Sequence, residues 1–298
     1  MARWHQVENE VRARIAALVS EPFELSRADT RWLALGAELV AFAADNESEW
    51  RRLTAERWLI ERWRAAGVPA PRVLREDAIR GVQVRERLHG LHGAQIHTDK
   101  GHSPLYADAR ASRDWIEDAP LSPFGERVAT SYGELAARIR RAVSVADASA
   151  AGLGMTSRRT IDLDDVIARL HATDAPDAAK TAAMRVRPWL AALPPPDAVI
   201  HSDLHFFNMC VAEDGTITGV FDFGDSGIDA AATELLYIHS LGPQFVARVL
   251  EAYGDIDLEE VRRAHARVAL DHLTWHGPGT ERHPQIVAWV TAVLERLV

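Results

Sequence analysis

The chain has one cysteine, Cys210, so no internal disulfide can form and the fold must rest on packing. Its place in a short apolar run reads as a buried small hydrophobe. Only two lysines occur, Lys100 and Lys180, and arginine carries nearly all the positive charge. Any role before Lys100 that calls for a basic side chain must therefore fall to arginine or histidine. No apolar run approaches the roughly 18 residues of a membrane-spanning helix. The opening Met1-Ala2-Arg3-Trp4-His5 does not read as a signal peptide, and a cytoplasmic location is expected. A formal net charge of −9 argues against nucleic acid or anionic membrane as partner and is compatible with a cationic small molecule.

What is present is an ordinary globular pattern in 298 residues, enough for one large or two smaller domains. Val7, Val11, Ile15 and Leu18 have helical spacing, ended by Glu21-Pro22. Leu33-Ala34-Leu35 and Glu38 to Ala43 read as strands about a turn at Gly36. Asp45-Asn46-Glu47-Ser48 starts a helix that runs to Ala66 and stops at Gly67. The connector Val68-Pro69-Ala70-Pro71 leads to strands at Arg72-Val73-Leu74 and Gly81 to Leu88. Residues 23–88 thus form a small α+β unit of strand, strand, helix, strand, strand. From Gly90 to Pro123 an irregular insertion is expected. Helices follow at 124–145, 162–172 and 178–193, with a small-residue link at 146–159. Ala198-Val199-Ile200 is a short buried strand, and the chain beyond Asp229 reads as helical with breaks at Gly254 and His276 to Gly279. The expected organisation is an N-terminal lobe, 1–88, and a mainly helical C-terminal lobe, 89–298.

The chemistry gathers in His201-Ser202-Asp203-Leu204-His205-Phe206-Phe207-Asn208 and Val220-Phe221-Asp222-Phe223-Gly224-Asp225. Between them two apolar runs flank Asp214-Gly215, a strong hairpin turn signal. Asn208 and Asp222 lie seven residues to either side of Gly215. A hairpin centred there sets them side by side, within one residue of register, with Asp203 on the entering loop. An amide and two carboxylates converging in this way favour a hard cation, and Mg²⁺ is the usual one where phosphate is also bound. An aspartate five residues before a metal-binding asparagine, then a second metal-binding aspartate, is a phosphoryl-transfer arrangement.

These residues resemble the aminoglycoside phosphotransferase and choline kinase family of protein-kinase-like enzymes. The family loop is His-Gly-Asp-Leu-His-x-x-Asn, and Ser202 stands here in place of its glycine. Asp229-Ala230-Ala231 loosely replaces the family's Gly-Asp-Pro, with Glu234 as the following helix acid. The resemblance implies a two-lobed α+β fold. It implies transfer of the γ-phosphoryl of ATP, or of GTP, to a hydroxyl of a small molecule such as an aminoglycoside or another antibiotic. By the same resemblance Asp203 is the base, Asn208 and Asp222 hold Mg²⁺, and His201 and His205 shape the loop. Asp225, Asp229, Glu234 and Asp271 become candidates for acceptor contact or loop support. Glu56 matches the helix acid of the N-terminal lobe, and the hinge around Arg87 and Leu88 would meet adenine.

Two family features are missing. The strand Leu39 to Ala43 carries Phe42 or Ala43 where a phosphate-holding lysine belongs, and only Gly36 stands near the place of a glycine-rich loop. Arg31, Arg51 and Arg52 are available as substitutes. The gap also admits a catalytically impaired binding module. A third reading takes His201, Asp203 and His205 as part of a metal-hydrolase cluster, completed by His239, His265, His272 or His276.

Overall fold

A computed structural model of the chain describes residues 2–28, 31–96, 103–107 and 119–297. The architecture is two-lobed α+β. Helix α1 (Ala2–Ala16) precedes strands β1 (Phe23–Ala28), β2 (Arg31–Gly36) and β3 (Leu39–Ala44), helix α2 (Glu47–Ala65), and strands β4 (Val73–Asp77) and β5 (Val82–Glu86). The five strands form one antiparallel sheet in the order β1-β2-β3-β5-β4. Strand alternation gives this sheet two chemically different faces. Trp32, Ala34, Ala41, Ala43, Val82 and Val84 pack with Val11 and Ile15 of α1. The opposite face carries Arg31, Phe42, Gln83 and Arg85 toward α2, where Gln83 donates to Leu53 O at 3.1 Å and Arg85 pairs with Glu56. Asn46 caps α2 by accepting from Glu49 N.

After a short α3 (Gly93–Ile96) come α4 (Pro123–Ala142), α5 (Val145–Ala150), α6 (Leu163–His171) and α7 (Asp177–Ala191). Strands β6 (Ala198–Ile200), β7 (Met209–Val211), β8 (Ile217–Val220) and β9 (Gly227–Asp229) form two small pairs, β6 with β9 and the hairpin β7–β8. Helices α8 (Gly242–Tyr253), α9 (Leu258–Trp275) and α10 (His283–Glu295) close the chain. The main core joins α2, α4, α8 and the strands around the 201–223 segment. A second cluster joins α6, α7, α9 and α10. No helix among the described residues is long and apolar enough to cross a membrane.

Several elements differ from expectation for physical reasons. Strand β1 is an edge strand, where one covered face leaves only a weak alternation. The 146–159 link contains α5 and a 3-10 turn at Ser157–Thr160. Residues 231–241 form 3-10 turns in place of a regular helix, and β9 is an added strand whose partner β6 lies far away in sequence. Half of the expected irregular insertion, including Lys100, falls outside the described residues.

Helix α4 approaches α8 closely at Gly133. A Cβ there would stand 2.3 Å from Val249 O and 2.8 Å from Ala252 Cβ, so the two backbones must separate to admit a methyl group. Gly133→Ala should lower stability by about 1–3 kcal/mol, the usual scale for overpacking. A urea or thermal melt reads this, with Gly154→Ala, which meets nothing within 4 Å, as the neutral control.

Candidate active site

Strand β6 delivers the chain into the loop at His201. Ser202 has φ 69°, the left-handed region where a side chain costs energy. This is why the family pattern has glycine there. The strained turn is held by Glu234, whose buried carboxylate accepts from His201 N at 2.7 Å and Ser202 N at 3.2 Å. Burial pushes the Glu234 pKa up to about 8, against the lowering effect of those two amides. Glu234 is therefore a brace of the loop and not an acceptor contact. His201 is fully buried, stacks on Trp63 at 6.1 Å, and makes a 2.9 Å hydrogen bond from Nε2 to Phe221 O. Burial lowers its pKa to about 4, so it is neutral and donates that bond. With Nε2 committed to a carbonyl and Nδ1 near Asp203 N, His201 is unavailable as a zinc ligand. His239 and His265 lie against each other elsewhere, at 5.4 Å, and His272 stacks on His276 at 6.0 Å. No three His, Cys, Asp or Glu side chains converge to hold a metal among the described residues, so the hydrolase reading lacks a ligand set.

Asp203 is the most heavily partnered carboxylate of the site. Tyr237 OH donates to Oδ1 at 3.0 Å, Arg158 Nη2 lies 3.2 Å from the same oxygen, Asn208 Nδ2 donates to Oδ2 at 2.9 Å, and His205 Nε2 lies 3.3 Å from Oδ2. Burial alone would raise its pKa, but His205 and Arg158 outweigh burial and hold the carboxyl well below the usual range. Arg158 also reaches Asp271 at 3.0 Å, which ties the C-terminal α9 to the loop. Neither Arg158 nor Tyr237 was anticipated. Arg158 arrives through the contact of the 154–156 backbone with Ile228, and that pairing has no local sequence signal.

The hairpin forms as expected, one residue out of the symmetric register. Met209 pairs with Val220 and Phe221 N donates to Asn208 O at 3.0 Å, so Asp222 stands one step past Asn208's partner. The turn end pairs Val211 with Ile217, which centres the hairpin on Asp214, and a bulge between Cys210 and Val211 brings the open end one residue back toward the symmetric register. Asn208 spends its amide nitrogen on Asp203 O and Oδ2, leaving the amide oxygen as the group able to meet a cation. Asp222 has φ 64° and is exposed. Enclosure by the cleft walls raises its pKa, and negative charge on Asp203, Glu56 and Asp225 adds to the rise while Arg31 opposes it. Burial likewise raises Asp225, opposed by Arg158, Arg52 and Arg31 and helped by Asp203. Oxygen donors with mutually repelling charge suit a hard divalent cation.

Asp229 is not part of this cleft. It is buried, accepts from Thr156 Oγ1 and Arg159 Nη1, and holds the 156–159 turn in place. On the other side of the cleft Glu56 is buried between Arg85 Nη2 and Arg31 Nη2, each 2.7 Å away. Burial opposes its ionisation, but Arg85 and Arg31 prevail and lower its pKa. Arg87 fastens the hinge by donating from Nη1 to Gly36 O, and its N–H donates to Glu38 O at 2.8 Å. Leu88 packs against Gly219 of the hairpin, where a Cβ would come within 2.9 Å of it.

The comparisons with known proteins agree with this geometry. The sequence matches the model of the phosphotransferase enzyme family APH over residues 38–270, and the chain belongs to that family. No match among curated proteins was found. Among solved structures, the GDP complex of aminoglycoside 2'-phosphotransferase-IIIa superposes with a TM-score of 0.65 at 14% identity, covering 98% of this chain and 97% of that one. The macrolide 2'-phosphotransferase MphH from Brachybacterium faecium gives 0.57 at 17% identity over 91% of each chain. The streptomycin–ATP–APH(2")-IIa ternary complex gives 0.57 at 14%, covering 96% and 97%. At these identities the likeness is one of fold, the two-lobed kinase-like architecture.

Two outcomes test the loop. Ser202→Gly should remove left-handed strain and leave stability unchanged or raised by up to about 1 kcal/mol, read from a thermal melt. For Glu234, the folded pKa of about 8 lies above the ordinary 4.5, so the native state binds the extra proton between those values. Stability should fall as pH rises toward 8. His201 acts only lower, gaining stability as pH rises from about 4 to 6.5. Denaturation curves at pH 6.5 and 8 should therefore show a decline in the wild type that Glu234→Gln abolishes.

Proposed function

We propose that the chain transfers the γ-phosphoryl group of ATP or GTP, taken as its Mg²⁺ complex, to a hydroxyl of a small molecule. The observation that carries this is an ionised Asp203 hydrogen-bonded to Asn208, with Asp222 beside them across the hairpin. Asn208 and Asp222 would hold the metal, which screens the charge of the transferring group. The acceptor oxygen attacks the γ-phosphorus, the bond to the β,γ-bridging oxygen breaks, and the hydroxyl proton passes to the Asp203 carboxylate. A carboxylate held so far below its ordinary pKa is a weak base. It serves first to orient the hydroxyl, taking the proton late, as a loose transition state permits.

The acceptor reading draws on fold relatives whose structures contain kanamycin, streptomycin or gentamicin, and on macrolide phosphotransferases. An antibiotic-like polyhydroxyl compound fits that company. Of the four acids that could attract a cationic acceptor, Asp229 and Asp271 are paired with Arg159 and Arg158, and Glu234 is buried on backbone amides. Among the described residues Asp225 alone of these four is exposed without such a partner, which favours an acceptor of low positive charge. A nucleotide donor and a lone reduced cysteine fit a cytoplasmic setting.

Purified protein assayed with ATP and GTP against a panel of aminoglycosides, macrolides and other hydroxyl compounds tests the reading. Asp203→Ala should cut turnover by about 10²–10⁴-fold while Mg²⁺-nucleotide binding persists. Asn208→Ala and Asp222→Ala should instead weaken metal-dependent nucleotide binding. Full activity in Asp203→Ala would contradict the assignment of the base.

A further inference from the structure

The missing lysine has a structural answer on the neighbouring strand. Position 42 of β3 faces α2, as a phosphate-holding lysine must, whereas Ala43 faces α1 and is buried in its core. Phe42 fills the place. Two guanidiniums lie over its ring, Arg85 from β5 at 4.4 Å and Arg31 from β2 at 5.7 Å. Both reach Glu56, but they are held differently. Arg85 is locked: its Nη2 hydrogen-bonds Glu56 Oε2 at 2.7 Å, its Nε hydrogen-bonds Gln83 at 2.6 Å, and its side chain is 3% exposed. Arg31 lies 2.7 Å from Glu56 Oε1, contacts Glu49 only at 3.7 Å, and keeps 10% exposure.

The looser guanidinium also points the right way. A Cβ placed on Gly224 would lie 3.2 Å from Arg31 Nη2 and 3.7 Å from Asp222 Oδ1, so the arginine and the metal-ligand candidate border the same small gap. Glu49 is also served by Arg52, at 3.0 Å, and Arg52 Nη2 donates to Gly224 O at 3.2 Å. Three arginines therefore face two glutamates, so Arg85 and Arg52 can serve Glu56 and Glu49 without Arg31.

We infer that Arg31, reaching across from β2, grips the phosphates of the bound nucleotide in place of the absent β3 lysine, while Arg85 alone keeps Glu56 in position. The division follows from the contacts: Glu56 retains a full hydrogen bond to Arg85 when Arg31 turns away from it. A guanidinium offers a planar fork suited to two phosphate oxygens at once, which a lysine does not. The strand face is shared, so moving the charge from β3 to β2 shifts its root without moving its target. This inference rests on the phosphotransferase reading.

Calorimetric titration of ATP, ADP and AMP, and of their guanine counterparts, with Mg²⁺ present tests it. Arg31→Ala should weaken the triphosphate by about 10- to 100-fold, the scale of a charge-assisted hydrogen bond, and the monophosphate much less. The acceptor KM should stay within about twofold of the wild-type value. Adding Phe42→Lys to Arg31→Ala should restore most of the lost affinity. If Arg31→Ala does not fold, Arg31→Lys against Arg31→Met makes the same comparison, with the lysine variant the tighter. Equal triphosphate affinity in wild type and Arg31→Ala, or an equal loss for mono- and triphosphate, overturns the assignment of Arg31 alone. A wild-type protein that binds no nucleotide at all overturns the phosphotransferase reading itself.

Discussion

Repulsion among four carboxylates is the constraint on which this molecule turns. Asp203, Glu56 and Asp225 all act on Asp222, and Asp203 acts on Asp225 as well. Each lobe neutralises part of that charge with arginine. From the C-terminal side Arg158 sits on Asp203 and Asp271. From the N-terminal side Arg31 and Arg85 sit on Glu56. What is left over, at Asp222 and Asp225, is the place where a cation is most favoured. The elements that bring these residues together follow from that balance: the sheet face turned to α2, the hairpin, and the 156–159 turn braced on Asp229.

Much of the lower site was legible because its chemistry is local. His201 to Asn208 is a single loop, and a hairpin around Gly215 sets Asp222 near Asn208 by counting alone. The one-residue offset is what remains of a turn centred on Asp214 after a bulge that no residue type announces has taken up part of it. Asp229, Glu234 and Asp271 looked like candidates for an acceptor because acids near a catalytic loop suggest cation binding. Two of them instead neutralise arginines, and the third shapes the loop. Arg158 and Tyr237 carry no local signal, because each meets Asp203 through long-range packing. Strand β9 was hidden for the same reason: three residues gain their identity only by pairing with β6.

The N-terminal lobe shows how an ion pair can persist while one of its partners moves to another strand. Lysine is nearly absent from this chain, and the strand that should hold one holds Phe42. The helix acid Glu56 nevertheless keeps its ion pair, now with arginines from the strands on either side of β3. An arginine is longer than a lysine and carries its charge on a fork, so it can reach the same point from an adjacent strand. The strained Ser202 is a parallel case. Its left-handed backbone survives the loss of glycine because Glu234 holds two consecutive amides from below.

The central claim is that Asn208 and Asp222 form a metal site that works on a nucleotide. Calorimetric titration with a non-hydrolysable ATP or GTP analogue, with and without Mg²⁺, addresses it most directly when wild type and Asp222→Ala are compared. The account predicts binding that strengthens with Mg²⁺ in the wild type and loses that dependence in Asp222→Ala. Nucleotide binding indifferent to both Mg²⁺ and Asp222, or no binding at all, would contradict it.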